Sequence, residues 1–199
     1  MPRPGVPDVY RARAQAAGFV ARAVYKLKAL DEKYRLLQPG QRVLDLGCSP
    51  GSWLQYLASR VGPGGLVVGV DLNPLAIPVA PPIMFVPGDA GGEVPAAVTA
   101  ISPVFDLVVS DMAPKTTGIR ETDQERSLNL AFGAWKWAQK LLRAGGHFLV
   151  KVFEGPGVDA LAQELQAAFR SCRRVKPAGS RSASKEIYLL ALNRRRGKR

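Results

Sequence analysis

The chain has 199 residues, 47% of them apolar, and carries 28 Lys/Arg against 16 Asp/Glu for a net charge of +12. That size suits one domain (1–199) with a core that needs no staples. Two cysteines without CxxC or Cys/His spacing and a single histidine argue against a zinc site, and no stretch is apolar or long enough for a signal h-region or a membrane span, so the expectation is a soluble, cytoplasmic protein.

A basic segment, 1–17, comes first. The apolar spacing of Phe19, Ala23, Leu27 and Leu30 predicts an amphipathic helix over 18–37, closed by "QPG". Strand-like and helical runs then alternate: a strand over 42–46, a helix over about 51–60, strands over 66–71, 84–87 and 105–110. A long helix over about 123–142, a strand over 147–153 and a helix over 158–169 follow. Two strands, 172–177 and 186–192, end the domain with no helix between them, and 194–199 reads as a basic disordered tail.

This alternation predicts an α/β fold of the Rossmann-like kind: a mostly parallel seven-stranded sheet, helices on both faces, and a last strand entering antiparallel. "LNPLAIPVAPPIM" holds too many prolines for a crossover helix and is expected to be an extended loop. Ligands of such folds sit at the carboxyl ends of the strands, where the strand order reverses.

Four strand ends carry ligand-ready chemistry. The first runs into "VLDLGCSPGSW", where Gly47 and Gly51 allow close approach, although the dinucleotide pattern GxGxxG is absent. The second ends at Asp71, able to accept both hydroxyls of a ribose, the third runs into Asp89, and the fourth into Asp111. Each carboxylate alone reads as a turn cap, and the series reads as an adenosine site. A further residue breaks its pattern: Lys151 puts an ammonium inside the apolar run "HFLVKVF", where burial is expensive without a partner.

Charge is segregated. Residues 1–42 hold nine Lys/Arg against three Asp/Glu, residues 170–199 eleven against one, and residues 43–169 eight against twelve. Two basic ends around an acidic centre suit a polyanion, and nucleic acid is the expected partner.

In order and spacing, "RAVYKL", "VLDLGCSPGSWLQYL", "GVDLNP", "GDA", "VVSDMAPKTTG", "FLVKVFEG" and "SRSASKEIYLLA" resemble the FtsJ family (also called RrmJ or RlmE), over about residues 11–193. The resemblance implies an S-adenosylmethionine-dependent methyltransferase fold and transfer to a ribose 2′-hydroxyl, most directly of a uridine in large-subunit (23S) ribosomal RNA. It implies cofactor contacts at Gly47, Gly51, Trp53, Asp71, Asp89 and Asp111, and a catalytic tetrad of Lys26, Asp111, Lys151 and Glu186. RNA or the large ribosomal subunit is the implied partner of a monomer that uses neither metal nor membrane. The chain departs from the family in "GCSPGSW", where "GAAPGGW" is common, and at Lys115, where Asn or Asp is frequent.

The chemistry suits these residue types. A sulfonium is a good leaving group, so positioning and removal of the hydroxyl proton remain for the protein. Lys151 is the expected base, Lys26 a positioning partner, Glu186 an orienter, and Asp111 touches cofactor and lysines. Burial and Lys26 oppose an ammonium at Lys151 whereas Asp111 and Glu186 favour it, and the sequence leaves that balance open. Arg3, Arg11, Arg13, Arg22 and Lys28 at one end, with Arg173, Arg174, Lys176 and Arg181 at the other, are expected to flank the RNA backbone. Trp135, Trp137 and His147 are assigned to packing. A nucleotide-dependent oxidoreductase leaves the lysines unexplained, and a non-catalytic RNA-binding module has no need of the tetrad. A methyltransferase acting on tRNA or an mRNA cap shares it and is the closest alternative.

Overall fold

In the central strands the apolar residues run almost unbroken, as strands covered on both faces require. The computed structural model describes residues 9–177 and 185–197. Its elements in chain order are α1 (Val9–Ala16), α2 (Val24–Tyr34), β1 (Arg42–Leu46), α3 (Ser52–Val61), β2 (Leu66–Asp71), β3 (Ile83–Pro87), α4 (Ala96–Ile101), β4 (Phe105–Ser110), α5 (Arg120–Leu141), β5 (Leu142–Phe153), α6 (Val158–Ala168), β6 (Phe169–Val175) and β7 (Glu186–Arg194).

The seven strands form one sheet in the order β3-β2-β1-β4-β5-β7-β6. Strands β1 to β5 pair in parallel, and β7 inserts antiparallel between β5 and β6. This is the expected Rossmann-like arrangement. Two apolar layers cover the sheet. One gathers Leu44, Val108, Phe148 and Leu189 against Trp137 of α5 and Leu161 of α6, and the other gathers Val43, Val109, Leu149 and Tyr188 against Leu27 of α2 and Leu57 of α3. The order reverses between β1 and β4, which places a crevice at their carboxyl ends.

The structure corrects several boundaries. The helix expected over 18–37 is shorter: Gly18 takes φ +77, and Val24–Tyr34 alone is α-helical. Phe19 therefore sits in the turn before the helix rather than on its face. The basic segment 1–17 contains α1, and the chain just after it is held by Gln55, which donates to the Gly18 carbonyl at 3.0 Å and accepts from the Val20 N–H at 3.0 Å. The stretch expected as a tail from residue 194 is bonded to the domain at its start. Arg194 closes β7 with its guanidinium on the carbonyls of Ala138, Gln139 and Leu142, and Arg195 donates to the Phe169 carbonyl.

Residues assigned to packing behave so. Trp137 is buried and donates to the Gly92 carbonyl at 2.7 Å, Trp135 packs on Phe148 and Phe169, and His147 Nδ1 accepts the Asn193 N–H at 3.1 Å.

Candidate active site

Four strand ends converge on the crevice, and two glycines let them close up. Gly47 follows β1 at φ +80, where a Cβ would collide with Met112 Cγ after β4. Gly51 takes φ +114, and a Cβ there would come within 2.8 Å of Ile77 in the proline-rich loop. Both positions therefore need glycine for conformation and for space.

Asp71, at the end of β2, ties the neighbouring turns together. Its Oδ2 accepts the Ser49 N–H at 2.9 Å, and its Oδ1 accepts the Asn73 N–H at 2.8 Å. Asp89 caps its own turn, accepting the Gly91 N–H at 2.8 Å. Asp71, Asp89 and Asp111 line a cleft of about 430 Å³ together with Gly47, Ser49 and Lys115.

At one side of that cleft the ionisable residues meet. Lys151 Nζ lies 3.0 Å from Asp111 Oδ1 and 2.5 Å from the Asp111 carbonyl oxygen, with its side chain 4% exposed. Lys26, in the first turn of α2, donates to Glu186 Oε2 at 2.9 Å and stands 3.9 Å from Asp111 Oδ1. Lys151 is thus buried and paired, as a lysine inside an apolar strand must be. The structure brings all four expected tetrad residues into one chain of contacts, with Asp111 as its link to the cleft.

Tyr188 completes the cluster. Its hydroxyl donates to Asp111 Oδ1, and its ring stacks on Trp53 at 6.2 Å between centroids. Burial, reinforced by the Asp111 charge, pushes the phenol well above its usual range, so it remains a donor. Trp53 itself is 3% exposed and donates to the Ala23 carbonyl at 2.9 Å. Trp53 and Gly51 are not among the residues that line the cleft.

Sequence reasoning passed over Tyr188, although it lies two residues beyond Glu186 on the same strand, where period-two alternation puts both on one face. It also passed over Asp45. Both carboxylate oxygens of Asp45 are buried without a hydrogen-bond partner among the described residues. Burial first, then repulsion from Asp111 and Asp71, raises its pKa well above the carboxylate range. The neighbouring Cys48 thiol is pushed up as well, mainly by burial, and is an unreactive one. An acid inside "VLDL" was the signal, of the same kind as Lys151 inside "FLVKVF".

Part of the basic surface is locally engaged. The Arg13 guanidinium sits over the Tyr25 ring at 5.7 Å, Lys28 pairs with Glu32 at 3.9 Å, and Arg174 pairs with Asp159. Arg3 and Arg181 lie outside the described residues. Among the described residues no group of His, Cys, Asp and Glu is placed to hold a metal, and no helix is long and apolar enough to cross a membrane.

Comparison with known proteins adds to this geometry. The profile of the FtsJ-like methyltransferase family matches residues 19–194. The chain is 42% identical over 190 residues to the ribosomal RNA large subunit methyltransferase E of Desulfatibacillum aliphaticivorans, covering 96% of this chain and 92% of that protein. It is 44% identical over 191 residues to the protein of the same name from Coxiella burnetii, covering 92% and 89%. Among solved structures, a putative ribosomal RNA methyltransferase from Plasmodium falciparum superposes with a TM-score of 0.78 at 27% identity, covering 88% of this chain and 98% of that one. A putative rRNA methylase from Clostridium thermocellum, at 15% identity and a TM-score of 0.57, shares the fold.

Proposed function

Since the chain belongs to the FtsJ-like methyltransferase family, we propose that it methylates large-subunit ribosomal RNA, moving a methyl group from S-adenosylmethionine to a ribose 2′-hydroxyl of a uridine. The relatives' names support ribosomal RNA as substrate. The observation that carries the reaction type is the Lys151–Asp111 contact: a nearly water-excluded amine 3.0 Å from a carboxylate, at the end of an acid-lined cleft.

The residues present fit the cofactor. Three carboxylates line the cleft, and they supply acceptors for ribose hydroxyls and an adenine amino group. Such a lining favours a cationic ligand and repels the pyrophosphate of a dinucleotide, which weighs against an oxidoreductase. Asp71 and Asp89 would hold the nucleoside, and Asp111 would face the reacting end. When bound, S-adenosylmethionine supplies an electrophilic methyl on a sulfonium.

The chain's own residues supply the rest. Lys151 would enter the step as the free amine, its lone pair taking the hydroxyl proton at Nζ as the new bond forms, and leave it as the ammonium that Asp111 Oδ1 and the Asp111 carbonyl are placed to hold. Tyr188 fixes Asp111 from the other side. Lys26, held by Glu186, would orient the incoming ribose. The basic residues around the site would hold the RNA backbone without reading its sequence. The protein is expected to work as a cytoplasmic monomer.

The test is methyl transfer from labelled cofactor to unmodified large ribosomal subunits, free ribosomal RNA and bulk tRNA, with nuclease mapping of the product. Label on a large-subunit uridine as a 2′-O-methyl ribose is the expected result. Label on tRNA alone, or on a base, would overturn the substrate or the reaction respectively.

A further inference from the structure

The cleft holds a cation that the tetrad does not use. Lys115 lines it beside Asp71, Asp89 and Asp111, and its side chain is exposed and makes no ion pair or hydrogen bond among the described residues. The other two lysines of the site are committed, Lys26 to Glu186 and Lys151 to Asp111. A cation at the rim of an acid-lined cleft opposes the sulfonium of the cofactor, whereas it attracts an anionic group of the other ligand.

The loop that carries Lys115 is fastened. Asp123, 8% exposed near the start of α5, accepts the Thr117 N–H at 2.7 Å, the Thr117 hydroxyl at 2.9 Å and the Gly118 N–H at 3.2 Å. These bonds hold the Asp123 carboxyl below its usual range, led by the Thr117 N–H, so the clamp persists as a carboxylate. The same helix grips the end of β5. Gln124 donates to the Glu154 carbonyl at 2.5 Å, and the Ser127 hydroxyl accepts the Phe153 N–H at 2.9 Å. One helical turn thereby fixes the Lys115 loop relative to the strand that carries Lys151. The backbone two and three residues beyond Lys115 is thereby held, which limits the region its ammonium can reach.

We propose that Lys115 is a phosphate subsite: it binds the RNA backbone phosphate next to the ribose that is methylated, and so places the 2′-hydroxyl against Lys151. The proposal rests on the RNA methyltransferase reading. It adds a contact on the cleft side of the reacting hydroxyl, where Lys26 and Lys151 are already paired. An ammonium is suited to this as a point charge that tolerates a range of phosphate orientations.

The test compares wild type, Lys115→Asn and Lys115→Arg in two measurements. The first is binding to in vitro transcribed large-subunit ribosomal RNA across a salt series. The second is binding of S-adenosylmethionine alone by calorimetry. Losing one phosphate contact flattens the slope of log K against log salt by about 0.7 to 0.9. The expected result is that flattening in Lys115→Asn, restoration in Lys115→Arg, and cofactor affinity equal to or above wild type in both. An unchanged salt slope with weakened cofactor binding would overturn the proposal and assign Lys115 to the cofactor's own carboxylate. No change in either measurement would leave Lys115 without a ligand role and equally overturn it. A wild type that binds RNA with no salt dependence would instead sink the functional reading beneath the proposal.

Discussion

The Tyr188 hydroxyl and the Lys151 amine converge on the same oxygen, Oδ1 of Asp111, from β7 and β5, adjacent antiparallel strands in which Lys151 and Tyr188 are direct partners. The register of one strand pair therefore sets the geometry around the Asp111 carboxylate. A slip by one residue would send Tyr188 to the opposite face of the sheet.

Removing the Tyr188 hydroxyl tests that arrangement. Tyr188→Phe keeps the ring stacked on Trp53 and deletes one hydrogen bond to a carboxylate, of a kind that contributes about 1.5–3 kcal/mol. Expressed at the transition state, this is a roughly tenfold or larger fall in kcat, with KM for RNA little changed. A kcat equal to wild type would reduce Tyr188 to packing.

Lys26 and Glu186 act as a unit in this account, since each is the other's 2.9 Å partner. Lys26→Met and Glu186→Gln should each lower kcat/KM, and the double variant should be no worse than the weaker single one. Strictly additive losses in the double-mutant cycle would show that the two side chains act separately.

Asp45 makes stability depend on pH in a direction opposite to that of a paired carboxylate. Its folded-state pKa is raised by burial and by repulsion from Asp111 and Asp71, whereas in the unfolded chain it ionises near the ordinary value of about 3.9. Above that value the unfolded state releases a proton that the folded state retains. The contribution of Asp45 is therefore full below pH ~4 and declines as pH rises toward its folded pKa. Asp45→Asn removes the decline. Its urea midpoint relative to wild type should improve as pH rises above about 4, and a constant difference would contradict the burial of an unpartnered acid.

Gly47 and Gly40 share φ +80 but differ in surroundings: Met112 crowds the first, and nothing lies within 4 Å of the second. Gly40→Ala should cost only the left-handed backbone term, about 1–2 kcal/mol. Gly47→Ala adds overpacking of about 1–3 kcal/mol. Chemical denaturation of the two variants compares them, and equal losses would mean that Met112 yields freely.

Much of the fold was legible because the strands are continuous apolar runs. β1, β2 and β4 begin and end where the sequence places them, and the proline-rich stretch after β2 carries no helix. The misses have physical reasons. α1 (VYRARAQA) buries only Ala14 and so shows no apolar stripe, while α4 spans six residues, too few for periodicity to register. The helix over 18–37 was overextended because Phe19 fits its spacing, yet Gly18 turns the chain just before it. In the site, the resemblance supplied the tetrad. What the sequence alone could not supply was the coupling: that Asp111 binds Lys151 through a carboxylate oxygen and its own carbonyl, and that Trp53 backs Tyr188 instead of lining the cleft.

Removal of the ribose hydroxyl proton by Lys151 is probed most sharply by single-turnover methyl transfer with Lys151→Ala. Unmodified large ribosomal subunits serve as substrate, with S-adenosylmethionine affinity measured alongside. The expected result is a loss of about 10²- to 10⁴-fold in the transfer step, with the cofactor still bound. Transfer at a near-normal rate by Lys151→Ala would contradict it and return Lys151 to the role of a buried, paired lysine at the end of a strand.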